Sequence, residues 1–82
     1  MELSDSAKFL ISTRSYNILE FIDYRVRVSF QDIENKFFQD KSTLKFILTE
    51  LENFQLIKIT DDEKYKLTIN GEEKLNIFQN LY

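Results

Sequence analysis

Apolar side chains recur along this chain with two periods, and each change of period marks the edge of an element. Between Ser15 and Tyr24, Ile18, Leu19 and Ile22 fall three and four residues apart with Glu20 and Asp23 opposite them, the spacing of an amphipathic helix. Before it, residues 4–12 suit a short helix or arm with Ser4 or Asp5 as N-cap and Phe9, Leu10 and Ile11 on its apolar side. Arg25-Val26-Arg27-Val28 then alternates, which predicts a short strand with both guanidinium groups on one face. Ser29 opens a helix running to about Phe38, with Asp32 completing a capping box and Phe30, Ile33 and Phe37 sharing a face. After Gln39-Asp40-Lys41, either Ser42 or Asp40 caps a helix over 42–53, where Leu44, Leu48 and Leu51 form the most regular stripe in the chain, with Ile47 beside it.

Period two returns in the runs 56–60 and 64–68, separated by Asp61-Asp62-Glu63, and predicts an antiparallel hairpin with an acidic tip. Lys58, Lys64 and Lys66 fall on the face opposite Ile57, Ile59, Tyr65 and Leu67. Thr68 or Asn70 starts a last helix reaching 82. Leu75, Phe78, Leu81 and Tyr82 form its apolar stripe, and Glu72 and Glu73 suit its positive end. Helices thus surround one small hairpin, an α+β order.

Helix, short strand, two helices about a tight turn and then a hairpin resembles the winged helix-turn-helix family, over residues 15–78. The segment DIENKFFQDKSTLKFILTELENFQLIKI resembles the helix-turn-helix itself. YKLTINGEEKL is similar to the strand-to-helix segment after the wing in small bacterial and archaeal regulators of the multiple-antibiotic-resistance type. The resemblance implies one winged-helix domain over 1–82, with 1–14 an N-terminal helix or arm and 71–82 a C-terminal helix available for dimer contact. It also implies a DNA-binding transcriptional regulator, with the helix of residues 42–53 in a major groove. The chain departs from the family in two places. Gln55 stands where such regulators often have Gly before the Leu-Ile pair, which calls for strain or another turn. The wing tip is acidic where Lys or Arg would be expected.

Composition narrows the chemistry. The chain has 82 residues, 43% hydrophobic and 15% aromatic, with a net charge of −3 from 11 basic and 14 acidic groups. A chain of this size makes one small core. Cysteine and histidine are absent, which removes disulfides, thiolate nucleophiles, imidazole acid-base groups and the usual zinc ligands. No phosphate-binding glycine loop or nucleophile-base pair can be drawn, so a non-enzymatic module without cofactor or metal is expected. Asp61-Asp62-Glu63 lacks cation-loop spacing and reads as a solubilising turn. No apolar run is long enough for a membrane span and no leader pattern is evident, which places the protein in the cytoplasm. With one Gly and no Pro, close backbone approach is expected to matter little and bulky side chains to fill the core. The abundance of Ile, Lys, Asn, Phe and Tyr is consistent with an AT-rich genome, archaeal, viral or plasmid-borne.

Candidate DNA contacts follow from the helical wheel. Ser42, Thr43, Lys45, Phe46 and Thr49 lie away from the leucine stripe. Lys41 and Lys45 suit phosphate or a guanine edge, the hydroxyls either partner, and Phe46 a thymine methyl. An ordinary solvated face, with Phe46 wrapped into the core, fits the same spacing. Arg25 and Arg27 are candidates for bidentate phosphate clamps, or for surface pairs with Asp23, Asp32 or Glu34. Lys64 and Lys66 make the wing flank basic although its tip is not. The acidic excess sits mainly in the C-terminal half, so net charge does not forbid nucleic acid. The competing class is a winged-helix protein-interaction module, suggested by the supply of aromatics: Phe9, Phe37, Phe38, Phe46, Phe54, Phe78 and Tyr82. A homodimer through KFLI and LNIFQNLY would bury some of these and would suit either class. No small-molecule ligand is indicated.

Overall fold

The computed structural model describes residues 5–37 and 39–81; Ser4, Phe38 and Tyr82, invoked above, lie outside them. Among the described residues are five helices and a two-stranded antiparallel hairpin, in the order α1 Asp5–Thr13, α2 Tyr16–Arg25, α3 Phe30–Phe37, α4 Lys41–Asn53, β1 Ile57–Ile59, β2 Tyr65–Leu67 and α5 Ile69–Leu81. The predicted α+β order is present, and no described helix is long and apolar enough to cross a membrane. The first segment is a helix, not an arm, with Ala7 and Leu10 buried.

Core positions follow the predicted periods. Ile18, Leu19 and Ile22 of α2, Ile33 of α3, Leu44, Ile47, Leu48 and Leu51 of α4 and Leu75 and Phe78 of α5 are buried together with Ile57 and Leu67 at the base of the hairpin. Each such side chain contributes about 1.5 to 3 kcal/mol by leaving water, so the aliphatic stripes supply most of the drive to fold. Helix α2 packs on α5 and β2, and α4 packs on β1. The hairpin pairs Ile57 with Leu67, Lys58 with Lys66 and Ile59 with Tyr65. Ile59 is nevertheless 50% exposed, although Tyr65 across from it packs against the core.

The predicted strand at 25–28 is corrected. Arg25 closes α2 with its guanidinium 5.8 Å from the Phe21 ring centroid, an i,i+4 contact that favours one more helical residue. Val26 then turns the chain sharply at φ 70° and ψ −50°, a strained geometry for a β-branched residue. Only Val28 remains in strand pairing, donating to the Tyr65 carbonyl at 3.1 Å and accepting from its N–H at 2.7 Å. A four-residue alternation loses here to helix continuation from one side and a bend from the other. Arg25 and Arg27 therefore do not share a strand face.

The capping box is present: Ser29 N–H donates to Asp32 Oδ2 and Asp32 N–H to Ser29 Oγ. Gln55 takes φ 63°, so the missing glycine is met by strain in a non-glycine residue. Leu56 N–H reaches the Leu51 carbonyl and Gln55 N–H the Glu52 carbonyl, the paired bonds of a helix-ending Schellman turn. The hairpin turn likewise places Glu63 at φ 61°.

The expectation that close backbone approach matters little fails at Gly71. A Cβ built there would come 2.0 Å from the Leu56 carbonyl oxygen, so only glycine lets α5 lie against the chain leaving α4. Around it, Thr68 Oγ1 donates to the Gln55 carbonyl at 2.6 Å and accepts from Gly71 N–H at 3.0 Å. Thr68 N–H donates to the Leu56 carbonyl at 3.0 Å and Asn70 Nδ2 to that of Phe54 at 3.4 Å. Three successive carbonyls just beyond α4 are thus taken up by Thr68 and Asn70, where α5 begins.

Candidate nucleic-acid interface

With one side of α4 locked into the core by Leu44, Ile47, Leu48 and Leu51, the other side is solvent-facing. Lys41, Ser42, Thr43, Lys45, Phe46 and Thr49 are all exposed, so the six α4 positions singled out by the helical wheel lie on accessible surface. Ser42, Phe46 and Thr49 follow at i, i+4 and i+7 and form a stripe. Asn53 extends it at i+11 and is also exposed, at the C-terminal end of the helix where the sequence pointed to no candidate.

Phe46 is 58% exposed and does not lie wrapped in the core. Its ring is 6.4 Å from that of Phe9, which stands 5.5 Å from Phe54. Helix α1 thereby steadies one side of Phe46 and leaves the remainder open.

The start of α4 is governed by Asp40, which holds an extended N-cap conformation. Of the two caps considered, Asp40 is the one present, and Ser42 is drawn towards it. Ser42 Oγ donates to Asp40 Oδ2 at 2.6 Å, Thr43 Oγ1 to Oδ1 at 2.7 Å and Thr43 N–H to Oδ2 at 3.1 Å. These bonds, with Ser42's the largest influence, hold the Asp40 carboxyl down at about 2, because each stabilises the charged form. Asp40 is therefore a full carboxylate at neutral pH.

The remaining candidates lie outside α4. Arg25 is engaged over Phe21, and its charge also helps lower the Asp32 carboxyl, after the larger effect of the Ser29 bonds. Arg27 is exposed. Lys66 is exposed directly opposite Lys58, a like-charge pairing that costs the hairpin stability. Lys64 lies beyond the strand, its backbone paired with Thr60. At the tip the Thr60 hydroxyl donates to Asp62 and lowers that carboxyl, while Asp61 and Glu63 stay exposed. Among the described residues no group of three or more His, Cys, Asp or Glu side chains is placed to hold a metal ion. Set against family models, curated proteins and solved structures, the chain matches none.

Proposed function

We propose that this chain is a winged helix-turn-helix domain that binds duplex DNA as a transcriptional regulator, with α4 in the major groove. The observation that carries this reading is the face of α4. Two lysines, three hydroxyls and an aromatic ring stand exposed on a helix whose other side is fixed in the core. A helix offered in this way is held rigidly by its leucines while its outer side chains remain free to meet base edges. Supporting it are the short link between α3, which ends at Phe37, and α4, which starts at Lys41, and the hairpin that follows α4 with Lys58 and Lys66 on its outer side. Two copies meeting through α1 and α5, where Ile11 and Ile77 are exposed, would present two such helices to a two-fold site.

A second reading, a protein-interaction module, is favoured by Tyr24, 86% exposed at the end of α2, and by exposed Val26 and Ile69, all distant in sequence from α4. The two are separated by fluorescence anisotropy of a labelled duplex at low and moderate salt. DNA binding with a modest salt slope is expected. The double variant Lys41→Glu, Lys45→Glu should weaken it about tenfold or more while circular dichroism stays unchanged. Absence of binding to any duplex at low salt would overturn the DNA reading.

A further inference from the structure

The hydrogen-bonding groups at the exposed start of α4 have a fixed sense. A hydroxyl carries one proton and two lone pairs, and an ionised carboxylate only accepts. Because Ser42 Oγ and Thr43 Oγ1 both lie at donor distance from Asp40, each points its proton at that carboxylate. What they turn outward is acceptor capacity alone. One helical turn after Ser42 stands the half-open ring of Phe46, propped by Phe9. Along this stripe the helix offers an acceptor oxygen and then an apolar surface. Lys41 and Lys45 lie along one flank.

We propose that this face selects A·T over G·C pairs, the Ser42 and Thr43 oxygens accepting from the adenine N6 amino group and Phe46 covering a thymine methyl. The proposal rests on the reading that α4 enters the major groove. It follows from what each pair displays there. An A·T pair offers one amino donor and one methyl group, matching an acceptor and an apolar surface together. Guanine offers two acceptors side by side, which meet only lone pairs from Ser42 and Thr43. Cytosine offers an amino group and no methyl, so it satisfies the hydroxyl and leaves Phe46 against a polar edge. Without Asp40 the hydroxyls could rotate to suit either base. With it they are committed.

The test uses the full chain and duplexes of equal length in which one groove changes at a time. Inosine·cytosine duplexes keep the major-groove edge of G·C with a minor groove like that of A·T, and uracil for thymine removes only the methyl. Anisotropy titrations should show A·T bound about fivefold or more tighter than inosine·cytosine, and about fourfold tighter than its uracil counterpart. Phe46→Ala should erase the thymine–uracil difference and Phe46→Leu should retain part of it. Ser42→Ala should narrow the gap between A·T and inosine·cytosine. Equal binding of A·T and inosine·cytosine by the unaltered protein overturns this selection while leaving DNA binding intact. If no duplex binds at low salt, the proposed function falls and the selection falls with it.

Discussion

Just beyond its C-terminal end, the chain leaving α4 gives three successive carbonyls to residues that lie far along the sequence, whereas at its N-terminal end α4 is closed by its own Asp40. The carbonyls of Phe54, Gln55 and Leu56 are taken by Thr68 and Asn70. Leu51 and Leu56 are buried beside them, and Gly71 lies against the Leu56 oxygen. The Asp40 end is exposed throughout and makes its bonds within three residues. Every helix end leaves orphan polar groups. At the C-terminal end a Schellman turn meets them, and the carbonyls that follow it are bonded to Thr68 and Asn70, which ties that end to the rest of the fold. Meeting them through a local side chain leaves the other end detachable in energetic terms, and therefore available to change without loss of the core.

The largest effect that can break this contrast is expected at Gly71. Helix propensity alone favours Gly71→Ala by about 1 kcal/mol. The methyl group would however overlap a backbone oxygen that no rotamer change can move, and overpacking of that kind costs about 3 kcal/mol or more. The steric effect should win, with a fall in melting temperature of at least about 8 °C by calorimetry. An unchanged or raised melting temperature would show that α5 and the end of α4 are not in close contact.

Asp40→Ala comes next. Loss of an N-cap is local, so the melting temperature should drop by only about a few degrees and the unfolding transition should stay cooperative. The pH dependence has a definite sign. The Asp40 carboxyl is depressed to about 2 by Ser42 and Thr43, and those of Asp32 and Asp62 are lowered by Ser29 and Thr60. A depressed carboxyl binds protons more readily when unfolded, so its stabilisation is complete above its ordinary value near 4 and is lost as pH falls. Acid should therefore weaken the fold from about pH 4 downward, with the Asp40 contribution going last, towards about 2. Asp40→Ala should flatten the lower part of that curve in melts taken between these limits.

How far the chain could be read in advance follows the same division. The leucine stripe of α4, the capping box at Ser29 and Asp32 and the alternation of the two hairpin runs are set by neighbours three, four or two residues apart, and all were legible. The strand at 25–28 was not, because its alternation competes with an i,i+4 contact between Phe21 and Arg25 and a bend at Val26. The importance of Gly71 was hidden because it depends on where Leu56, fifteen residues earlier, is brought by the hairpin. The exposed candidates on α4 followed from the helical wheel. The commitment of Ser42 and Thr43 to Asp40 required coordinates, since a hydroxyl's direction leaves no mark on spacing.

Gln55→Gly probes the C-terminal end without touching the closure. Gln55 sits at φ 63°, a conformation in which a side chain costs about 1 to 2 kcal/mol and glycine nothing. Part of that gain is offset by the greater freedom of glycine in the unfolded chain. A net stabilisation of about 0.5 to 1 kcal/mol is expected in urea melts with the slope unchanged. Destabilisation would mean that the side chain of Gln55 makes a contribution beyond its backbone.

Ser42→Ala should be the smallest change in stability, within about 0.5 kcal/mol, because the site is exposed and Thr43 still bonds to Asp40. Its effect on Asp40 should be much larger than its effect on the fold. The Ser42 hydroxyl is the foremost cause of the depressed carboxyl, so its removal should let the Asp40 titration, followed by carboxyl-carbon NMR, move up from about 2 towards the ordinary range. A titration that stays where it was would mean that the Ser42 proton is not directed at Asp40. Ser42 could then donate outward as well as accept, and the start of α4 would have no fixed preference between base edges. A titration that moves while the melt does not would place the hydrogen-bonding sense of this surface under the control of one exposed carboxylate, independently of the core that holds the helix.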